Sequence, residues 1–396
     1  MISTSGSHAD AIGQRLATHR ECRHPINTIN MLFCSEISMF MPLIGDTMRS
    51  FADVDSLVGL VPFTIVSDLR VIDTGRGSEA LFQDKLPHLL TTLADRARVA
   101  SIEASSAIEG VFVEDRARAA AILAGSIEQL RNRSEQELAG YRAALDYLYQ
   151  QPWRPLNAGL LLHLHRLLFA YTEASGGEFK QVDNLVIDRL PDGTAVKRFT
   201  PVSAGQSPHH GEELIARYLL AQQSGRHHPV ILVGLFALDL LTIHPFIDGN
   251  GRITRALTNA LLQDAGYDVT RYVSLETLIA SSSDAYYAAL LSSTDGWHQG
   301  VHDPWPWLRY FVGLVRRCYE DFATLTSAAR SNGNKQDRVR DYVLNHAPKV
   351  FRIADIRSAL PGISDQSIRL ALDSLKVAGR VESDSVGRGA TWSRLP

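Results

Sequence analysis

Residues 229–243 read PVILVGLFALDLLTI, an almost unbroken apolar run. A helix that is hydrophobic all round has to be covered on every side. The run is shorter than the roughly 20 residues that cross a bilayer, and it carries Asp239. It therefore reads as a buried core helix. The chain around it has 396 residues, with 45% hydrophobic and 21% charged residues. That is enough for two or three domains and a sizeable core. Most of the surrounding segments also show helical periodicity, so the fold class is mainly α.

The helices are legible one by one. PHLLTTLADRARVASIEASSAIEG predicts a long helix that stops at Gly110, since glycine accepts the left-handed conformation that ends helices. SEQELAGYRAALDYLYQ offers Ser134 and Glu137 as a capping box. LNAGLLLHLHRLLFA and GEELIARYLLAQQ are further helices, and two more helical stretches run to about Ala329. QVDNLVID, PDGT and AVKRFTPV instead read as a β-hairpin over 182–200. SNGNKQ is a linker by composition. Beyond it, helices at 337–346, 353–360 and 365–378 and a strand pair around glycines describe a winged helix. The expected organisation is a poorly defined leader over 1–59, an N-terminal helical region over 60–175, a catalytic core over 176–329, a linker over 330–336 and the winged helix over 337–396. Linker composition predicts few contacts across 330–336.

Bulk properties exclude several classes. The net charge of −3 argues against general nucleic-acid binding. From Asn334 to Pro396 there are 11 basic and 7 acidic residues, a balance of +4 that leaves −7 elsewhere. The third helix of that block offers Gln366, Arg369 and Lys376 but also Asp365 and Asp373, which is no convincing major-groove face. Protein contact and weak DNA contact both stay open. Cys22, Cys34 and Cys318 are too few and too scattered for a disulfide framework or a zinc site, and a reducing cytoplasm is the expected location. The apolar run Met31–Ile44 follows Arg20 and Arg23 without a clean cleavage site, so a leader is expected rather than a signal peptide or anchor. Met48 would also serve as a start for everything that carries chemistry.

Directly after the core helix stands HPFIDGNGRITR, His244 to Arg255. Gly249, Asn250 and Gly251 lie where a loop becomes a helix. Glycines let a ligand approach the backbone, and free N–H groups with the helix dipole favour an anion. Arg252 and Arg255 are three apart and suit a polyphosphate. Asp248 beside that anion invites Mg²⁺ as a bridge. His244 can take a proton near neutral pH. Pro245 and Phe246 shape and pin the loop.

This motif resembles the signature of Fic proteins, in which His-Pro-Phe precedes an acidic residue, a Gly-Asn-Gly turn and two arginines. SSAIEG resembles the family's inhibitory helix, which places Ser105, Glu109 and Gly110 in that motif. The hairpin at 182–200 resembles its target-docking flap, and the similarity covers roughly residues 60–325. The resemblance implies a Fic-type helical core with a β-hairpin flap, and a protein adenylyltransferase that moves AMP from ATP to a Ser, Thr or Tyr hydroxyl of a target protein. His244 would be the general base, Asp248 would hold Mg²⁺, and Gly249, Asn250 and Gly251 would cradle the phosphates. Arg252 would stabilise the leaving diphosphate and Arg255 would hold the γ-phosphate. Glu109 would occupy Arg255 and so inhibit the enzyme. The protein itself is one candidate target, and no membrane partner is expected. The alternatives are a DNA-binding regulator whose Fic-like part senses a nucleotide, transfer of another nucleotide, or removal of AMP from modified targets. The segment SSSDAYYAALLSS departs from the family's Asn-Arg before Tyr-Tyr. Tyr286 and Tyr287 could stack on adenine or pack in the core.

Two weaker signals compete. GRGSEA, Gly75 to Ala80, matches a dinucleotide fingerprint, but the residues after it are helical and form no βαβ unit. His163, His165 and the pairs His209–His210 and His227–His228 are not expected to bind metal.

Overall fold

A computed structural model of the chain describes residues 50–395, apart from 60, 86, 127–128, 190–194, 331–334 and 385–389. The apolar run Met31–Ile44 and most of the expected leader lie outside the described residues. The described elements are α1 (Val54–Val58), α2 (Phe63–Lys85), α3 (Pro87–Ile108), α4 (Arg116–Leu123), α5 (Arg133–Gln150), α6 (Ala158–Leu168), β1 (Val186–Arg189), β2 (Ala195–Phe199), α7 (Ser207–Ser224), α8 (Pro229–Ile243), α9 (Asn250–Asp264), α10 (Leu275–Ser281), α11 (Ser283–Thr294) and α12 (Trp305–Arg330). A C-terminal block adds α13 (Lys335–Asp341), continued by a π-turn at Tyr342–His346, then β3 (Val350–Arg352), α14 (Ile353–Ala359), α15 (Asp365–Val377), β4 (Val381–Ser383) and β5 (Thr391–Arg394). The architecture is mostly helical.

The core helix is where its sequence requires it. Residues 230–240 of α8 are all buried, and α7, α9 and α12 pack around it. Its one acid, Asp239, is fully buried and accepts hydrogen bonds from Ser50 Oγ at 2.6 Å and Trp297 Nε1 at 2.8 Å. This satisfies a charge that would be costly to bury alone. Phe51 and Val54 are buried as well. Residues 50–58, placed with the leader on sequence grounds, thus pack onto the helical core.

The long helix α3 ends as its sequence predicts. Gly110 has φ 76°, and the amides of Gly110 and Val111 donate to the carbonyls of Ala107 and Ser106, a Schellman closure. The hairpin is present as β1 and β2, antiparallel, with Ile187 opposite Lys197 and a bulge beside Val186. Three helices rather than two fill 275–330, because Ser282 separates α10 from α11. GRGSEA lies inside α2. Its Gly75 leaves room for the Tyr319 ring of α12, which is helix packing and not a phosphate turn.

One local expectation fails. Asn132, not Ser134, caps α5, accepting from the Glu135 amide at 3.0 Å. Glu137 is thereby released from any capping role. In the C-terminal block, β5 lies between β3 and β4. The block therefore has three strands where the glycine-rich tail promised two, since β3 is only three residues long and leaves no alternation to read. The block also touches the rest of the chain: α14 packs on α3 and α13 on α12.

Candidate active site

The turn between α8 and α9 brings the motif together. His244 closes α8 in the left-handed region, with φ 52°, a conformation that costs a non-glycine residue energy and often marks a functional position. Its Nδ1 lies 3.2 Å from the Leu241 carbonyl. A carbonyl can only accept, so Nδ1 carries the hydrogen and Nε2 keeps its lone pair. Burial, aided by the nearby Lys180 charge and opposed by the carboxylates of Glu109 and Asp248, brings the His244 pKa down to about 4. The ring is neutral at physiological pH.

The loop is braced from several sides. The Asn250 side chain accepts from the Phe246 amide at 2.9 Å and donates to the Phe246 carbonyl at 2.8 Å. It therefore ties the turn, and only its backbone amide remains for a ligand. The Gly177 amide donates to Nδ1 of His165 at 2.9 Å, so the His165 hydrogen sits on Nε2, 3.2 Å from the Asp248 carbonyl. The same ring stacks on Phe246 with centroids 3.9 Å apart, and burial lowers its pKa to about 4. Asn184 donates to the Phe246 carbonyl at 3.1 Å, and the Lys180 amide to the Pro245 carbonyl at 2.9 Å.

Gly249 begins α9 with φ 81°, and a side chain there would meet Leu168. Asp248 is half exposed; its Oδ1 accepts from the Gly249 amide at 2.6 Å and faces Arg252 at 3.3 Å. Arg252 is 1% exposed, a cost that only a strong partner can offset. That partner is Glu137, 2.6 Å from Arg252 Nη1. Glu137 also bonds Arg133, which reaches Asp248 at 3.5 Å. By spacing alone Glu137 looked like a capping residue, and nothing local indicated this second use.

Arg255 is buried. Its Nε donates to Ser105 Oγ at 2.8 Å, and its Nη2 to the Ser105 carbonyl at 3.1 Å and to Glu109 Oε1 at 2.7 Å. The structure thus brings Ser105 and Glu109 onto Arg255, a separation of 146 residues in the chain for Glu109. Burial alone would raise the Glu109 pKa, but Arg255 outweighs it and holds the carboxyl below its ordinary value. A Cβ placed on Gly251 would run into Glu109 Oε1. The carboxylate therefore lies against the first turn of α9, where free amides attract an anion.

A cleft of about 550 Å³ opens over these groups, and Glu109, His244, Asp248, Gly251, Arg198 and Tyr287 are among its walls. Tyr286 is 3% exposed and packs edge-on against Trp307 and Tyr310. Tyr287 faces the cleft with the Arg198 guanidinium 4.3 Å from its ring centre. Among the described residues, no group of three His, Cys, Asp or Glu side chains could hold a metal alone, and no helix is long and apolar enough to cross a membrane.

Comparison with known proteins locates this geometry. Residues 155–262 match the model described as the Fic/DOC family. The protein adenylyltransferase Fic of Drosophila grimshawi is 32% identical over 233 residues, covering 54% of this chain and 42% of that protein. The protein of the same name from Drosophila melanogaster is 30% identical over 139 residues, 33% of this chain and 25% of its own length. The chain thus spans less than half the length of these relatives. Among solved structures, a Fic family protein from Desulfovibrio desulfuricans superposes with TM-score 0.54 at 20% identity, covering 85% of this chain and 97% of its own. A Fic domain containing signaling protein from Bacteroides thetaiotaomicron gives TM-score 0.50 at 21% identity, over 65% and 95%.

Proposed function

With residues 155–262 as a Fic/DOC domain, we propose that the chain is a protein adenylyltransferase held back by its own Glu109. The observation that carries the reading is the neutral His244, with a free Nε2, beside a glycine turn and two buried arginines. ATP would set its phosphates on the first turn of α9, with Arg255 on the γ-phosphate. His244 Nε2 would take the proton of a target Ser, Thr or Tyr hydroxyl. The hydroxyl oxygen then bonds the α-phosphorus, the bond to the β-phosphate oxygen breaks, and diphosphate leaves beside Arg252. Positioning and charge stabilisation supply most of the rate in such transfers.

Mg²⁺ fits this arrangement. The ion is usually held by one or two carboxylates plus substrate phosphates, and Asp248 is half exposed at the edge of the phosphate place. When bound, the ion would neutralise charge between Asp248 and the phosphates. The free edge of the β1–β2 hairpin suits an extended target segment, and the protein itself is one candidate target.

Inhibition follows from occupancy. Glu109 holds the guanidinium the γ-phosphate needs and fills the anion place on α9. The C-terminal block has the make-up of a winged helix. Its α15 exposes Leu370 and Val377, and Asp365 neutralises Arg357 at 2.7 Å. Both features favour a protein partner over nucleic acid, and a cytoplasmic setting agrees with the reading.

The test is labelled ATP with cell lysate. His244→Ala should lose transfer while ATP binding by calorimetry persists, because the base serves the hydroxyl and not the phosphates. Transfer at the unmodified rate would remove His244 from the reaction.

A further inference from the structure

Lys180 is 3% exposed, although a buried ammonium is costly without compensation. Among the described residues it has no ion pair. Its Nζ donates to Asn184 Oδ1 at 2.9 Å. Asp183, the acid whose charge acts on it, instead accepts from the Ala204 amide at 2.7 Å. The backbone of Lys180 holds the Pro245 carbonyl, and Asn184 passes the contact on to the Phe246 carbonyl at 3.1 Å. Both residues stand on the stem that leads into β1. One short segment therefore ties the root of the hairpin to the turn that carries His244.

We propose that Lys180 is a positioning residue for His244: it locks the 244–246 turn to the hairpin stem and keeps a positive charge beside the ring that favours the neutral base. This rests on the adenylyltransferase reading. The charged groups acting on the ring are Lys180, Glu109 and Asp248, and only Lys180 opposes protonation. Burial draws the Lys180 pKa down to about 8, with Asp183 opposing. The ammonium is thus present at neutral pH and begins to be lost just above it. A structural prop would need only the backbone amide and a donor to Asn184, which a neutral glutamine could also supply. The charge matters only if His244 must stay unprotonated.

The experiment compares Lys180→Met, Lys180→Arg and Asn184→Ala in a Glu109→Gly background. It reads kcat and KM for ATP across pH, and the histidine ring resonances by NMR with His244→Asn for assignment. Lys180→Met should move the acid limb and the His244 titration upward by about one unit, which lowers kcat by up to about tenfold below about pH 4 and little at neutral pH, with KM for ATP within about twofold. Lys180→Arg should restore both. Asn184→Ala should lower kcat without moving the titration. An unchanged His244 titration in Lys180→Met overturns the proposal, as does a raised KM with kcat intact. Should Lys180→Met not fold, Lys180→Gln carries the same comparison. A Glu109→Gly parent that transfers nothing refutes the transfer reading, and the NMR titration then decides Lys180 alone.

Discussion

Replacing Glu109 by glycine should activate the protein. The substitution removes one charge-assisted hydrogen bond of 2.7 Å, between a guanidinium side chain 4% exposed and a carboxylate 30% exposed. Such bonds contribute about 1.5–3 kcal/mol. The partial exposure of Glu109 places this one toward the lower end, since water screens it. A competitor worth about 1.5 kcal/mol holds a rate down roughly tenfold, and one worth about 3 kcal/mol roughly 150-fold. The fold should survive the change, because α3 is closed by Gly110 and the Ser106 and Ala107 carbonyls rather than by the Glu109 side chain. The two Ser105 contacts on Arg255 also remain. The assay is self-modification with labelled ATP at saturating Mg²⁺, comparing the unmodified protein, Glu109→Gly, Arg255→Ala and the double variant. Activation should vanish in the double variant, since the gain depends on a freed Arg255. Equal rates for the unmodified protein and Glu109→Gly would refute the reasoning and leave SSAIEG as no more than a helix end.

Glu137→Ala should destabilise the protein by about 3 kcal/mol in urea unfolding, because it strands the buried Arg252 charge; Glu137→Gln should cost less, and no change in either would mean Asp248 alone compensates Arg252. Burial raises the Glu79 pKa to about 8, against the Tyr319 hydrogen bond that opposes it. The folded state then holds a proton that the unfolded chain releases near its ordinary value, so stability should fall as pH rises from about 4.5 to 8. Glu79→Gln should flatten that slope, as urea midpoints at pH 5 and pH 8 would show. Removing residues 335–396 should lower the melting temperature by uncovering the face of α3 on which α14 packs; an unchanged midpoint by calorimetry would make the block a tethered appendage.

The sequence was decisive wherever the physics is local. Residues 229–243 had to be a buried helix because no face of it tolerates water. Gly110 had to end α3, and Gly249 had to begin α9, because both need a left-handed backbone. The glycine turn with two arginines carries the anion-site proposal within its own twelve residues. Tertiary structure decided what each charge does. Glu137 and Arg252 are 115 positions apart, and no periodicity links them. Ser134 and Glu137 had the spacing of a capping box, yet Asn132 took the cap and a buried arginine took Glu137. His165 resembled any histidine on an apolar helix until its ring lay on Phe246. Lys180 carried no signal at all, because its burial depends on the turn at 245 folding over it. Helix starts and stops are fixed by a residue's own torsions and its neighbours within a turn. Partners for buried charges are chosen by which distant elements the core brings into contact, and that choice exists only once the chain has folded.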